Sequence, residues 1–171
     1  LKPTAITRRN DESSRREKIA EGYEYPVTLV AERDGQPCAF PERRLVVHSF
    51  KMAEAQSQTL DRRLKQAVTD LTRLNERKQG KARPQNQAAL EAAVAANLKT
   101  HRVGELLLVQ YHVRRQEHSV RAYSDRPARM QVTEESTVRV QINRPAVAEA
   151  KFALGWRVYA TNAPSAYLSL T

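Results

Sequence analysis

The stretch that decides the fold is residues 43–74, RRLVVHSFKMAEAQSQTLDRRLKQAVTDLTRL, where a β-rich run leads directly into a long helical pattern. Residues 43–50 have strand character. From about Lys51 to about Lys78, apolar side chains recur at helical spacing and form one stripe: Leu60, Leu64, Ala67, Val68, Leu71 and Leu74. The spacing therefore predicts a strand followed by a long amphipathic helix.

The polar side of this predicted helix is basic. At about 100° per residue, four cations cluster opposite the apolar stripe: Arg62, Lys65, Arg73 and Arg77. Residues 60–102 hold 10 basic and 4 acidic residues and so supply most of the formal net charge of +10. A local excess of this size indicates a polyanionic partner, of which nucleic acid is the commonest. A solvated helix surface is the alternative that charge alone leaves open.

Before the strand, the sequence predicts a β-hairpin. Residues 27–32 alternate in strand fashion and are followed by Asp34-Gly35, a pair that favours a two-residue hairpin turn because glycine accepts a positive φ. Pro37 and Pro41 cannot donate ladder hydrogen bonds, so the returning strand should lie at a sheet edge or begin late. Residues 1–22 are polar and predict a short strand, then a loop or a short exposed helix.

After the helix, residues 78–84 break the pattern and a second helix is predicted from about Gln85 to Lys99. Its stripe should pack antiparallel against that of the first helix. Further strands are predicted at residues 106–114, 119–123 and 130–142, then a helix at 144–154 and a strand at 156–161 that is apolar enough to lie inside a sheet. The predicted fold class is α+β: an antiparallel β-rich platform with a long amphipathic helical hairpin, ending in a helix-Gly-strand unit around Gly155.

Composition excludes several classes of protein. The 171 residues can bury a real core in one domain or a little more, and no apolar run is long enough for a membrane helix. The single cysteine, Cys38, excludes an internal disulfide framework and a multi-cysteine zinc site, and its surroundings favour an inert thiol. Because the chain starts at Leu1 without a leader pattern and stops after a strand-like run, we expect it to be an internal piece of a longer polypeptide.

No pattern of catalytic or metal-binding residues is visible. The histidines are scattered, although His112 and His118 could meet across a predicted strand turn. Glu134 and Glu135 are adjacent on a predicted strand and should point to opposite faces, and Asp34 is explained by the hairpin turn. There is no Gly-rich phosphate loop and no Gly-x-Ser-x-Gly motif, so we assign no catalytic residue and no metal ligand.

Two further arginines are candidates for phosphate contact. Arg114 and Arg115 follow Tyr111 in a predicted strand, where phosphate contact and plain solvation both remain open. Arg157, between Trp156 and Tyr159, is better explained as the outward residue of a core strand.

The order of segments resembles a known family. Residues 42–50, ERRLVVHSF, lead into a helix ending in LTRLN at residues 71–75, and much later LGWRVY at 154–159 is followed by ATN. From about residue 23 onward, this arrangement resembles the middle of bacterial insertion-sequence transposases of the DDE type, in the group that carries an insertion domain within an RNase H-like catalytic fold. The run from Gly155 to Asn162 resembles the strand that returns the chain from that insertion.

The resemblance implies a division of the chain. Residues 1–22 would be a lead-in from the upstream catalytic fold, 23–142 the insertion domain, and 143–171 the return to the catalytic fold. In this family three carboxylates hold two divalent ions, Mg²⁺ or Mn²⁺, which activate water or a 3′-hydroxyl for attack on a DNA phosphodiester. Two of these acids would precede Leu1 and the third would follow Thr171 in a Tyr-Arg-Glu-Lys-like helix, so this piece alone is expected to be inactive and to hold no cofactor.

The implied function is DNA transposition, a form of DNA recombination, in the bacterial cytoplasm close to the nucleoid. The insertion would help to bind the transposon-end DNA and to assemble the complex. A homodimer of the protein is one form that this complex could take, and no membrane is involved. Its phosphate contacts would come from the candidate cations: Arg62, Lys65, Arg73, Arg77, Arg114 and Arg115. Two alternatives stay open. One is a stand-alone basic nucleic-acid-binding or ribosome-associated module, and the other is an interaction protein that dimerises through the helical hairpin.

Overall fold

A computed structural model describes residues 2–9, 14–76, 84, 86–120 and 129–167 of the chain. Strands and helices mix in an α+β fold with antiparallel sheets, which confirms the predicted class. The strands and helices, in chain order, are β1 (Thr4–Arg9), β2 (Arg16–Arg33), β3 (Gln36–Ser49), α1 (Phe50–Arg73), α2 (Gln87–His101), a 3₁₀ turn (Gly104–Leu106), β4 (Leu107–Val120), β5 (Arg129–Ile142), α3 (Arg144–Phe152) and β6 (Trp156–Thr161).

These elements form two compact units. Unit 1 comprises Leu1–Gln58 and Ala150–Thr171, and unit 2 comprises Thr59–Glu149. In unit 1 the strands pair in the order β1-β2-β3-β6, and in unit 2 β4 pairs with β5. The hairpin before α1 lies in unit 1 because it pairs with both β1 and β6, whereas the division implied by the family resemblance places it in an insertion domain. The assignment of the segments to a catalytic fold and an insertion domain stays a prediction.

The β2–β3 hairpin has the predicted turn. Asp34 and Gly35 adopt positive φ angles of 54° and 76°, and Arg33 pairs with Gln36 across the two-residue loop. β3 begins directly after this turn rather than late. Its prolines lie at an edge, as predicted, because β6 pairs with β3 only from Arg43 to His48.

Three sequence-based expectations about strands are wrong, the first two because pairing with a neighbouring strand overrides a weak local pattern. β2 starts at Arg16, since its first residues pair with β1 where a loop or short helix was expected. β4 runs unbroken to Val120, since every residue has a partner in β5. Within the described sheet β6 is an edge strand rather than an internal one, and its Val158 is 64% exposed.

The helices match the predicted pattern but end differently. α1 stops at Arg73, and its buried side chains, Leu60, Leu64, Ala67 and Leu71, belong to the predicted stripe. α2 starts after Asn86, whose side-chain oxygen accepts a 2.8 Å hydrogen bond from the Ala89 N–H and so caps the helix. No described helix is long and apolar enough to cross a membrane.

Unit 2 has an apolar core. Besides the α1 stripe it buries Leu90 and Val94 of α2, together with Val103, Leu107 and Val138. Asn75 anchors the end of α1 to β5: its Nδ2 donates to the Val138 carbonyl at 2.7 Å, and its Oδ1 accepts from the Val138 N–H at 2.8 Å. The amide therefore hydrogen-bonds the strand backbone as a neighbouring strand would.

Unit 1 closes around Gly155. This residue has a φ of +80°, its N–H donates to Gln56 Oε1 at 2.8 Å, and its carbonyl accepts from the Ser49 N–H at 3.0 Å. A Cβ added there would lie 2.6 Å from the Ala53 Cβ. Only glycine fits so close to Ala53, and this glycine lies in the turn between α3 and β6.

Candidate nucleic-acid interface

The polar side of α1 presents two open cations. Arg62 and Lys65 are exposed and lie three residues apart, so they are neighbours on the helix surface, about 5–6 Å apart at Cβ. Within the described part of the chain, no side-chain hydrogen bond or ion pair engages either of them. They stand on the side opposite Leu60, Leu64 and Leu71, which are buried. Both charges are therefore available to an external anion.

The other two predicted helix cations differ from this pair. Arg73 is exposed, but its Nη1 lies 3.3 Å from Asp70 Oδ1, so its charge is partly balanced within the helix. Arg77 lies outside the described residues. The structure thus places two of the four candidates on an open surface and a third beside an acid.

Arg63, which the sequence analysis did not single out, has a structural role. Its Nε donates to the His101 carbonyl and its Nη2 to the Arg102 carbonyl, both at 2.7 Å. These carbonyls belong to the carboxyl end of α2, where backbone oxygens lack partners within the helix and the helix dipole favours a cation. The available signal was its position on the wheel, at the flank of the apolar stripe rather than opposite it.

Asp70 connects α1 to the same end of α2. It accepts hydrogen bonds from Gln66 at 3.1 and 3.2 Å, and its Oδ2 lies 3.1 Å from His101 Nε2. The hydrogen bond from Gln66, followed by those with His101 and the charge of Arg73, lowers the pKa of Asp70. The carboxylate is thus kept ionised and weakens the positive field at this end of the helix.

Arg114 and Arg115 are not brought together. As consecutive residues of β4 they point to opposite faces of the strand pair. Arg114 lies across from Glu135, and Arg115 lies across from Glu134 with its Nε 3.9 Å from Glu117 Oε1. Both arginines are exposed, but the acids around Arg115 make its surroundings close to neutral.

The expectation that His112 and His118 could lie close together across a turn is wrong. Both lie on the continuous strand β4, and a separation of six residues corresponds to about 20 Å. Glu134 and Glu135 are consecutive residues of β5 and point to opposite faces, as predicted. Among the described residues, no three His, Cys, Asp or Glu side chains form a group that could hold a metal ion.

Unit 1 contains an aromatic cluster that sequence reasoning missed. The His48 ring stacks on Trp156 at 4.8 Å, and Trp156 stacks on Tyr23 at 6.3 Å. A hydrogen bond from Lys18 is the main cause of a lowered pKa at the neighbouring Glu21. Beside this cluster is an open cavity of about 340 Å³, lined by Glu21, His48, Ala53, Glu54, Ser57, Lys151, Phe152 and Trp156. Its lining comes from two parts of the chain that are far apart in sequence, so no local pattern predicts it.

Comparison of the chain with protein-family models, with curated proteins and with solved structures found no match in any of the three.

Proposed function

We propose that this chain is the insertion-bearing part of a DDE-type transposase and that unit 2 binds the sugar-phosphate backbone of transposon-end DNA. The observation that carries the proposal is the pair Arg62 and Lys65, two exposed and unpaired cations on one side of α1. Because the opposite side of the helix is buried, this surface faces outward. Contacts of this kind would set the position of the protein on DNA without reading its sequence.

The order of the two units supports the transposase part of the proposal. Unit 1 is built from the beginning and the end of the chain, and unit 2 is formed by the residues between them. A domain inserted into another fold has this arrangement, although the inserted residues here are Thr59–Glu149 and not the whole of 23–142. The run Trp156–Thr161 returns the chain to the sheet of unit 1.

The alternative of dimerisation through the apolar stripe is disfavoured. Leu64 is 3% exposed and Leu71 is fully buried within a single chain, so the stripe is not on the surface. A homodimer in the assembled complex would use other surfaces. The other alternative, a stand-alone nucleic-acid-binding module, would use the same cationic surface of α1. It differs from a transposase in having no longer coding frame around these residues.

Catalysis in this proposal belongs to the parent enzyme. Its three carboxylates would hold Mg²⁺ or Mn²⁺ and stabilise both the attacking and the leaving oxygen. No residue of this chain is assigned to these ions. The parent would act in the bacterial cytoplasm, at the nucleoid.

The DNA-binding part is tested by the double variant Arg62→Gln/Lys65→Gln. We expect its affinity for a 30-base-pair duplex, measured by fluorescence anisotropy, to fall about 5- to 20-fold at low salt. The slope of log K against log salt concentration should fall by about 2, since each phosphate contact contributes about 0.9.

The matched control is Lys51→Gln/Arg157→Gln, which removes two exposed cations from unit 1. The control therefore has the same net charge as Arg62→Gln/Lys65→Gln. The control should bind nearly as the wild type does. Equal binding by both variants would show that Arg62 and Lys65 do not contact DNA. The transposase part is tested separately, by sequencing the DNA that flanks the coding region: a frame that continues in both directions and encodes the three acids supports it, and a closed short frame refutes it.

A further inference from the structure

A second surface of unit 2 is suited to DNA. We infer that the polar face of the β4–β5 ribbon enters the major groove of duplex DNA, an inference that rests on the proposed function and adds a distinct contact surface to it. We call this surface the ribbon face. It contains Gln110, His112, Arg114 and His118 of β4, with Glu135 and Arg139 of β5.

The strand register places these side chains on one side of the ribbon. Residues paired across an antiparallel ladder share a face, and Gln110 pairs with Arg139 while Arg114 pairs with Glu135. The opposite side carries Leu107 and Val138, which are each 5% exposed and belong to the core. The ribbon face therefore points away from the core of unit 2.

The two sides of the ribbon differ in charge. On the ribbon face Arg114 and Arg139 are exposed, and within the described residues no ion pair holds either of them. The acid on this face, Glu135, is half-buried and already has a partner. On the opposite side Arg115 lies close to Glu117 and Glu134. The cationic face is thus the one suited to a polyanion.

The chemistry of the ribbon face resembles that of base-reading surfaces. Arginine donates two hydrogen bonds to guanine, glutamine pairs with adenine, and histidine offers a ring donor or acceptor. Gln110, His112 and His118 are exposed, so these groups can reach a ligand. Plain phosphate binding requires only cations, whereas this mixture of donors and acceptors also suits base edges.

The dimensions of the ribbon agree with a groove. A two-stranded ribbon fits the major groove, which is about 12 Å wide. Arg139 lies opposite Gln110, four residues from Arg114, so the two arginines are separated by about 14 Å along the strands. Because Arg114 lies on β4 and Arg139 on β5, each arginine can reach one wall of the groove, while His112 between them and Gln110 opposite Arg139 face the bases.

The test uses Arg114→Gln/Arg139→Gln in the full chain, with Lys51→Gln/Arg157→Gln as a control that removes the same charge from unit 1. We expect the ribbon-face variant to bind the duplex about tenfold more weakly and the control less than twofold more weakly. Circular dichroism must show an unchanged fold for both variants. Equal affinities of the two variants would overturn the inference.

A second duplex tests the groove itself. Its cytosines carry glucosylated hydroxymethyl groups, which project into the major groove and block it. Wild-type protein should bind this DNA at least fivefold more weakly than the unmodified duplex, and Arg114→Gln/Arg139→Gln should lose this preference. Equal binding of both duplexes by the wild type would show that the ribbon face does not enter the major groove.

Comparison with Arg62→Gln/Lys65→Gln separates the two proposals. If only the helix variant weakens binding, the ribbon inference fails and the proposed function stands. If only the ribbon variant weakens binding, the ribbon inference stands and the contact with α1 fails. If wild-type protein does not bind duplex DNA, both fail.

Discussion

Unit 1 and unit 2 are stabilised in different ways. Among the described residues, unit 2 contains nine buried apolar side chains, whereas unit 1 contains two, Ala20 and Leu45. Unit 1 is instead a sheet in which β2 and β3 pair along 14 residue pairs. The difference suggests that unit 2 depends mainly on apolar burial and unit 1 mainly on backbone geometry.

The largest effect should come from truncating the core of unit 2. Leu71 is fully buried, so Leu71→Ala removes apolar contacts and leaves a cavity. We expect the free energy of unfolding, from urea denaturation followed by circular dichroism, to fall by about 4 kcal/mol. The matched variant Leu108→Ala changes a side chain that is 51% exposed in the same unit and should cost less than about 1 kcal/mol. Similar losses at both positions would contradict a core built on the α1 stripe.

The next effect should come from the backbone of unit 1. Gly155→Ala places a Cβ 2.6 Å from that of Ala53 at a φ of +80°, so steric overlap adds to backbone strain. We expect the free energy of unfolding to fall by about 3 kcal/mol. Unfolding can be monitored by the fluorescence of Trp156, the single tryptophan. Gly35→Ala is the control, because Gly35 also has a positive φ but no atom within 4 Å of the added Cβ. Its cost should be only about 1 kcal/mol. Equal costs would mean that the close approach at Gly155 is unimportant.

The smallest effect is a pH dependence in unit 2. Hydrogen bonds, first from Gln66, hold the pKa of Asp70 below its ordinary value of 3.8, so the folded state favours the carboxylate. The stabilisation should be present above about pH 4 and be lost as the pH falls below it. The urea midpoints of wild type and Asp70→Asn should therefore differ more at pH 5.5 than at pH 3. Glu105→Gln is the control, because it removes one negative charge at an exposed position. If the difference in urea midpoint between wild type and Asp70→Asn does not vary with pH, the role of Asp70 is refuted.

Neighbouring cations show what local pattern can and cannot predict. Arg62 and Arg63 are adjacent, yet Arg62 is open and Arg63 caps α2. The helical wheel distinguishes their directions, but only the position of α2 shows that Arg63 has backbone partners. In β4 the alternation of side chains separates Arg114 from Arg115, and the acids near each become visible only with the register of β5.

The same limit applies to strand boundaries and to distant groups. The polar residues 115–118 suggested a break in β4, but each has a partner in β5 and the strand continues. The cavity of unit 1 and the link from Asn75 to Val138 join residues far apart in the chain. No periodicity within a short window carries information of this kind.

Local sequence determined the α+β class, the amphipathic stripe of α1 and the Asp34-Gly35 turn, because helix spacing and glycine's freedom at positive φ act over a few residues. Tertiary structure decided which strands pair, which cations remain open and where the chain divides into two units. These outcomes depend on contacts between residues distant in sequence, and the gain from such contacts can exceed local preferences of a few tenths of a kcal/mol.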